Sequence, residues 1–396
     1  MRTWKNVRLS SLFLENTTRN SDFAVKQAFQ FYFGTIVPKK EYELTDDLIE
    51  TYRKYTVIKV GDIVINGLNL NYDFVSQRVG LAEDDGIITS AYIVLRPRVE
   101  LNIKYYCYFL KALDAHRVFH GMGTGIRLTL SYKDLKNYPL PVPPLSEQNQ
   151  IVRFLDYKVS RIDKLISIRQ RQITELEDLK KTIISKAVTK GLNPDVPMKG
   201  SGAKWIGDIP AEWEVVKLKR ICTMKSGTNL VSEQINTSVG AYLVFGGNGI
   251  RGYYNEYNID GDYILIGRQG ALCGNVHKVS GKIWATDHAV ITKIQSNVNI
   301  NYAYYLLLDM NLNQYSSDTA AQPGLSVNVI KNLTTIIPPL PEQNQIAAYL
   351  DKKCAQIDKA ISNTQRQIAE LTDLKARLIS DAVTGKIDIR GITIND

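Results

Sequence analysis

Apolar residues recur at intervals of three and four over two long stretches of the chain. In the first they fall at Ile151, Leu155, Val159, Ile162, Ile166, Ile173, Leu176, Leu179, Ile183 and Ala187. In the second they fall at Ile346, Leu350, Ile357, Ile361, Ile368, Leu371, Leu374, Leu378 and Ala382. That period marks one face of an amphipathic α-helix. A proline pair precedes each stretch, Glu147 or Glu342 stands in its first turn, and Gly191 or Gly385 follows it. These are helix start and stop signals. Elsewhere the pattern changes. "YTVIKVGDIVI", "AYIVLRP", "GDYILIG" and "HAVITKI" predict strands, while "IKYYCYFLKALDAHRVF" and "INYAYYLLLDMNL" predict helices. Gly-, Asn- and Ser-rich loops separate them.

The two long stretches are copies. Residues 143–190 and 338–385 agree at 30 of 48 positions, including "EQNQI" in both. A helix of about 42 residues is roughly 63 Å long and has little to pack against alone. The expected solution is that the copies pack on each other as a coiled coil, antiparallel about a pseudo-two-fold axis; the alternative is that each packs on its own neighbouring domain. The seam would use Ile151, Leu155, Ile162, Ile166, Ile173 and Leu176 against Ile346, Leu350, Ile357, Ile361, Ile368 and Leu371.

The segments before each copy share landmarks in order. Trp4 matches Trp213, "GDIVI" at 61 matches "GDYILI" at 261, "NIKYYCYFL" matches "NINYAYYLLL", and "LSYKDLKN" matches "LSVNVIKN". A drifting offset implies one scaffold with loops of different length, and such loops carry function. The expected fold class is α+β: two mixed α/β domains separated by two long helices. The expected boundaries are 1–142, 143–192, 193–337 and 338–396, with a linker leading into the second domain.

Composition adds partner chemistry. The 396 residues carry a net charge of +9, which suits a polyanionic partner. Four cysteines are scattered without CxxC spacing, which fits a reducing cytoplasm and neither disulfides nor zinc. No apolar run is long enough for a membrane span, and the N-terminus lacks a signal-peptide core.

Catalytic patterns are weak. "FGGNG" at 245–249 fits the F-x-G-x-G of adenosylmethionine-dependent methyltransferases, but no N/D-P-P-Y/F follows, so a hairpin turn is expected. His116 and His120 stand four apart without the Glu of H-E-x-x-H, and His277 and His288 lack a nucleophile partner. A chain without chemistry of its own is expected, and no metal.

With its two "PPL-x-EQNQI…LD…ID…QRQI-x-EL…DLK…AVT" repeats and its "KWIGDIPAEWEVVKLK" entry to the second domain, the chain resembles the specificity subunits of type I restriction-modification systems. The first domain lacks a matching "WIG-x-IP" entry before Trp4. The resemblance implies two target-recognition domains, each reading half of a bipartite, asymmetric double-stranded DNA site with a non-specific spacer. It implies that the helices set the spacer and bind two methyltransferase subunits, which use S-adenosylmethionine to methylate adenine. It also implies two motor-nuclease subunits where restriction occurs, phage defence as the setting, and no cofactor in this chain. The alternative is a cytoplasmic coiled-coil scaffold without a DNA role.

Base edges are read by Arg, Lys, Asn and Gln, and phosphates are held by Lys, Arg, Tyr and Ser. The DNA-contact candidates in the first domain are Asn66, Asn69, Asn71, Tyr72, Gln77, Arg78 and Arg127. In the second they are Lys225, Asn248, Arg251, Tyr253, Arg268, Gln269 and Gln322.

Overall fold

The computed structural model describes residues 4–32, 34–40, 43–71, 77–126, 128–203, 205–270, 273–317 and 324–389. The chain divides into two compact units, Met1–Gln170 with Arg366–Asp396, and Arg171–Gln365. The boundaries expected at 142, 192 and 337 are not those of the units. Each long helix is shared: its first half stays with the domain it follows, and its second half belongs to the other unit.

The first unit runs β1 (Lys5–Arg8), α1 (Leu9–Leu12), β2 (Phe13–Glu15), β3 (Phe29–Tyr32), β4 (Thr35–Pro38), α2 (Asp46–Arg53), β5 (Thr56–Ile58), β6 (Ile63–Ile65), β7 (Val79–Leu81), β8 (Gly86–Ile88), β9 (Ile93–Pro97), α3 (Ile103–Ala115), α4 (Tyr132–Leu135) and β10 (Pro139–Val142), then enters α5 (Leu145–Lys190). Its main sheet has the order β2–β9–β6–β7, antiparallel throughout, and β1 closes on β10. All three residues of β6 are buried, on alternate faces. Ile63 and Ile65 enter the main core with Tyr105, Tyr106 and Leu110 of α3, while Val64 joins a smaller core with Phe29, Ile58 and Ile88. This two-sided burial is why "GDIVI" reads as a continuous apolar run.

The second unit repeats the plan. After α5 come β11 (Met198–Gly200), β12 (Asp208–Pro210), β13 (Glu214–Lys217), β14 (Cys222–Ser226), β15 (Tyr242–Gly246), β16 (Gly249–Tyr254), β17 (Tyr263–Gly267), β18 (Val276–Val279), β19 (Ile283–Ala285), β20 (Ala289–Ile294), α6 (Ile300–Asp309), α7 (Val327–Lys331), β21 (Thr334–Ile337) and α8 (Leu340–Val383). The main sheet is β14–β20–β17–β18, and β13 closes on β21. Ile264 and Ile266 face the main core, and Leu265 the smaller one. The domains differ in the secondary layer: hairpin β3–β4 and pair β5–β8 in the first, the three-stranded β16–β15–β19 in the second. "FGGNG" is the β15–β16 hairpin turn. The segment expected as a linker is folded: β11 pairs with β12, and Ile206, Ile209 and Trp213 are core residues.

The repeated words hold each helix to its own domain. Trp4 Nε1 donates to Glu147 Oε2 at 3.0 Å, and Trp213 Nε1 to Glu342 Oε2 at 2.8 Å. Gln148 accepts from Asn102 N and donates to Pro143 O, and Gln343 does the same with Asn299 N and Pro338 O. Asn102 and Asn299 cap α3 and α6 and donate to Asn149 and Asn344. Tyr108 donates to Asp156, and Tyr305 to Asp351; burial, then the bond to the carboxylate, raises both phenol pKa values. The far end of each helix closes the other unit's core. Ile379, Ala382 and Val383 belong to the first core, and Ile184, Ala187 and Val188 to the second. Tyr105 OH donates to Val383 O, and Tyr302 OH to Val188 O. Beyond these ends Gly191 and Gly385 take left-handed φ of 75° and 71°, which favours glycine.

Within each unit the two helical segments run antiparallel. Lys375 meets Asp163 at 2.6 Å in the first, and Lys180 meets Asp358 at 2.7 Å in the second; each pair is the other moved by 195 positions. The expected seam needs correction at its ends. Ile151 and Leu155, and likewise Ile346 and Leu350, lie in domain cores and not in a helix–helix seam alone. Ile162 and Ile357 are buried, whereas Ile166, Ile173, Leu176, Ile361, Ile368 and Leu371 are half-buried, as two helices without a third layer leave them. Leu179 and Leu374, equivalent positions within the apolar pattern, are exposed.

Candidate nucleic-acid interface

In the second domain four loop ends converge at one end of the main sheet. Gly267 N donates to Asn275 O at 2.8 Å, and Arg268 N to His288 O at 3.0 Å. Leu325 N donates to Arg268 O at 2.8 Å, so the Arg268 backbone is fixed on both sides. The β15–β16 turn presses on the same place: a Cβ on Gly267 would stand 2.0 Å from Gly247 O. Only glycine allows that approach. The Arg268 Nη1 donates to Ser226 Oγ at 2.8 Å, and Asn275 Nδ2 donates to Asn248 Oδ1 at 2.6 Å. Lys225, Asn248 and Gln269 are exposed, and Arg268 is half-buried. His277 lies beside Gly249, and burial lowers its pKa, which favours the neutral ring. The group therefore offers a cation, amides that both donate and accept, and a neutral imidazole on a rigid base. Those are the groups that read base edges and hold phosphates.

Two other candidates lie elsewhere on β16. The Arg251 stem crosses Gly246 and its Nη2 reaches Ser232 Oγ at 3.3 Å. Tyr253 has its backbone paired with Asn236 and lines a surface cavity of about 550 Å³ with Glu233, Asn236 and Tyr254. Asn275 was missed by sequence reasoning. Only its place beside Gly274 marks it, and the amide pairing depends on a turn 27 residues away.

The first domain uses the corresponding place differently. Leu130 N donates to Gly67 O at 2.9 Å, matching Leu325 and Arg268. Arg78 is not a surface reader. It is 2% exposed, and its guanidinium binds Leu68 O at 2.8 Å and Asn66 O at 3.2 Å. Its own N–H donates to Asp114. It fastens the loop from inside. Asn66 accepts from Leu68 N, and Asn71 donates to Ile126 O, so both are tied into the loop. Asn69, at φ 51°, and Gln77 are exposed. Tyr72, Arg127 and Gln322 lie outside the described residues. His116 Nε2 meets Ser380 Oγ at 2.9 Å, a structural contact.

Two domains built on one plan, each with a variable loop end, and two copies of one helix define a duplicated recognition protein. The comparisons with known proteins identify the kind. The family model described as "Type I restriction modification DNA specificity domain" matches residues 1–178 and 210–373, and the chain belongs to that family of specificity subunits. The EcoprrI specificity subunit of Escherichia coli is 45% identical over 138 residues, a match covering 34% of each chain. The MjaVIII specificity subunit of Methanocaldococcus jannaschii is 24% identical across 98% of this chain and 94% of its own length. A solved structure from work on complex assembly and conformational transition of the type I R-M system has the same fold, with TM-score 0.73 and 18% identity over 98% of this chain and 99% of that one. Among the described residues no helix is long and apolar enough to cross a membrane.

Proposed function

We propose that the chain is the DNA-reading subunit of a type I restriction-modification complex. Each domain reads one half of a bipartite, asymmetric duplex site, and the spacer between the halves is not read. The observation that carries this is the convergence of Arg268, Asn248, Gln269, Lys225 and Asn275 on one loop end of the second of two domains built on the same plan. The chain supplies no reaction. Methylation inside a duplex needs an extruded base, and a separate reader can hold the duplex while a partner extracts it. Two methyltransferase subunits carrying S-adenosylmethionine would modify one adenine in each half, and two motor-nuclease subunits would join where restriction occurs, all in the cytoplasm.

The duplicated helix fits two copies of one partner. Glu147, Gln148 and their equivalents bond to their own domain, and Asn149 and Asn344, though exposed, accept from the caps of α3 and α6, so the repeated words serve the domains first. The equal outward pairs are Leu145 with Leu340 and Leu179 with Leu374, each between 39% and 48% exposed. Titration of the purified chain with duplex DNA over a salt series tests the reading. Log affinity should fall linearly with log salt, in proportion to the phosphates neutralised. A chain that binds no duplex at low salt would be a protein scaffold instead.

A further inference from the structure

We propose that Arg268 reads a guanine in the second domain's half-site, making that domain dependent on a G·C pair at the place where the first domain has Gly67. This rests on the DNA-reading function above and assigns it a residue and a base. Arginine binds guanine O6 and N7 with two parallel N–H donors, the commonest specific contact in the major groove. Such a contact requires the guanidinium to be held in place and to have donors to spare, and Arg268 meets both conditions. Its backbone N–H and C=O are fixed by His288 and Leu325. Its Nη1 is oriented by Ser226 Oγ at 2.8 Å.

Of the five N–H donors of a guanidinium, only this one is bonded among the described residues; Nε is buried without a partner, which leaves the second N–H of Nη1 and the two of Nη2 for a base. Arg96 of the first domain shows the contrast, with its Nε and Nη2 bound to the two oxygens of Asp62 at 2.8 and 2.6 Å. Arg78 is likewise committed to loop carbonyls. Arg78 and Arg96 are therefore not open to a base, and the position matching Arg268 in the first domain is Gly67.

The test selects duplexes from a randomised library with the purified full chain, wild type, Arg268→Ala and Arg268→Lys, at one fixed salt concentration. Lysine keeps the charge but not the planar fork, so a phosphate contact would survive it and a bidentate base contact would not. The wild type should select a motif with one fixed G·C pair that both variants stop requiring. Discrimination at that position should drop on the order of ten- to a hundredfold, with every other letter unchanged. A thermal melt checks that the variants fold, and the wild-type motif alone can overturn the proposal if neither half contains a fixed G·C pair. Retention of the wild-type motif by Arg268→Lys, with Arg268→Ala only weaker overall, would make Arg268 a phosphate contact and overturn the inference while leaving DNA reading intact. Failure of the wild type to select any motif would instead overturn DNA reading itself.

Discussion

At the end of β6 in the first domain stands Gly67, and at the matching place at the end of β17 in the second stands Arg268. Around these two positions the scaffolds agree strand for strand. Both sheets have the same order, both Trp–Glu locks form, and both cores are closed by the same three letters of the opposite helix copy. Among the described residues the differences include the loop ends, the secondary layer and the β11–β12 pair, which has no counterpart in the first unit. In the first domain an arginine near the loop end is buried to fasten the loop, and in the second an arginine at the loop end is left with open donors. The same residue type therefore has opposite roles, decided by whether carbonyls of its own loop surround it. Many of the duplicated residues face their own domain's core, while others, such as Leu179 and Leu374, face outward.

The largest expected effect breaks the comparison at the helices. A chain ending after Gly191 lacks Ile379, Ala382 and Val383, which close the first core. A second copy of the same fragment can supply Ile184, Ala187 and Val188 in their place. The fragment should therefore be a dimer by light scattering, and a stable folded monomer would contradict the shared-core account. Next in size is the lock. Trp213 is fully buried, whereas Trp4 is only half-buried. Trp213→Ala should cost about 3–5 kcal/mol in urea unfolding, and Trp4→Ala clearly less. Equal losses would mean that the two locks carry equal weight despite their burial.

The arginines give the third contrast. Arg78→Ala leaves loop carbonyls unpaired and should cost about 1–3 kcal/mol, while Arg268→Ala should change stability by less than about 0.5 kcal/mol. The smallest effect is electrostatic. Asp309 on α6 accepts from Ser185 Oγ at 3.3 Å, where the first domain sets His116 against Ser380. Burial raises the Asp309 pKa above its ordinary 3.8, partly offset by Ser185. The folded state therefore holds this proton more tightly. Its contribution is fully present below 3.8 and is lost as pH rises through the raised value. Asp309→Asn should match wild type in acid and exceed it at neutral pH by less than about 1 kcal/mol. A gap independent of pH would remove Asp309 as the cause.

The framework was legible in the sequence because it repeats. The 3.6 period of the helices, the proline and glycine boundaries, and the recurrence of "GDIVI" as "GDYILI" all follow from burial that local pattern records. What the pattern could not say is which partner buries a residue. Ile151 and Leu155 read as helix–helix seam, yet they share one core with residues of their own domain and with Ile379, Ala382 and Val383 of the other helix copy. Leu179 and Leu374 keep the period but face outward. The readout end was less legible. Arg78 and Arg268 look alike in sequence, each in a glycine- and asparagine-rich loop, and only the positions of Asn66, Leu68 and Ser226 separate them. Asn275 gained its role from a turn distant in sequence.

The most direct test of the central claim, one half-site per domain, is the motif selected by the full chain when only one loop end is changed. Lys225, Asn248 and Gln269 of the second domain are replaced together by alanine, and bound duplexes from a randomised library are sequenced beside those of the wild type. The account predicts a two-part motif in both cases, with the letters of one half altered and those of the other half and the spacer length unchanged. Changes in both halves, or an unaltered motif, would contradict it.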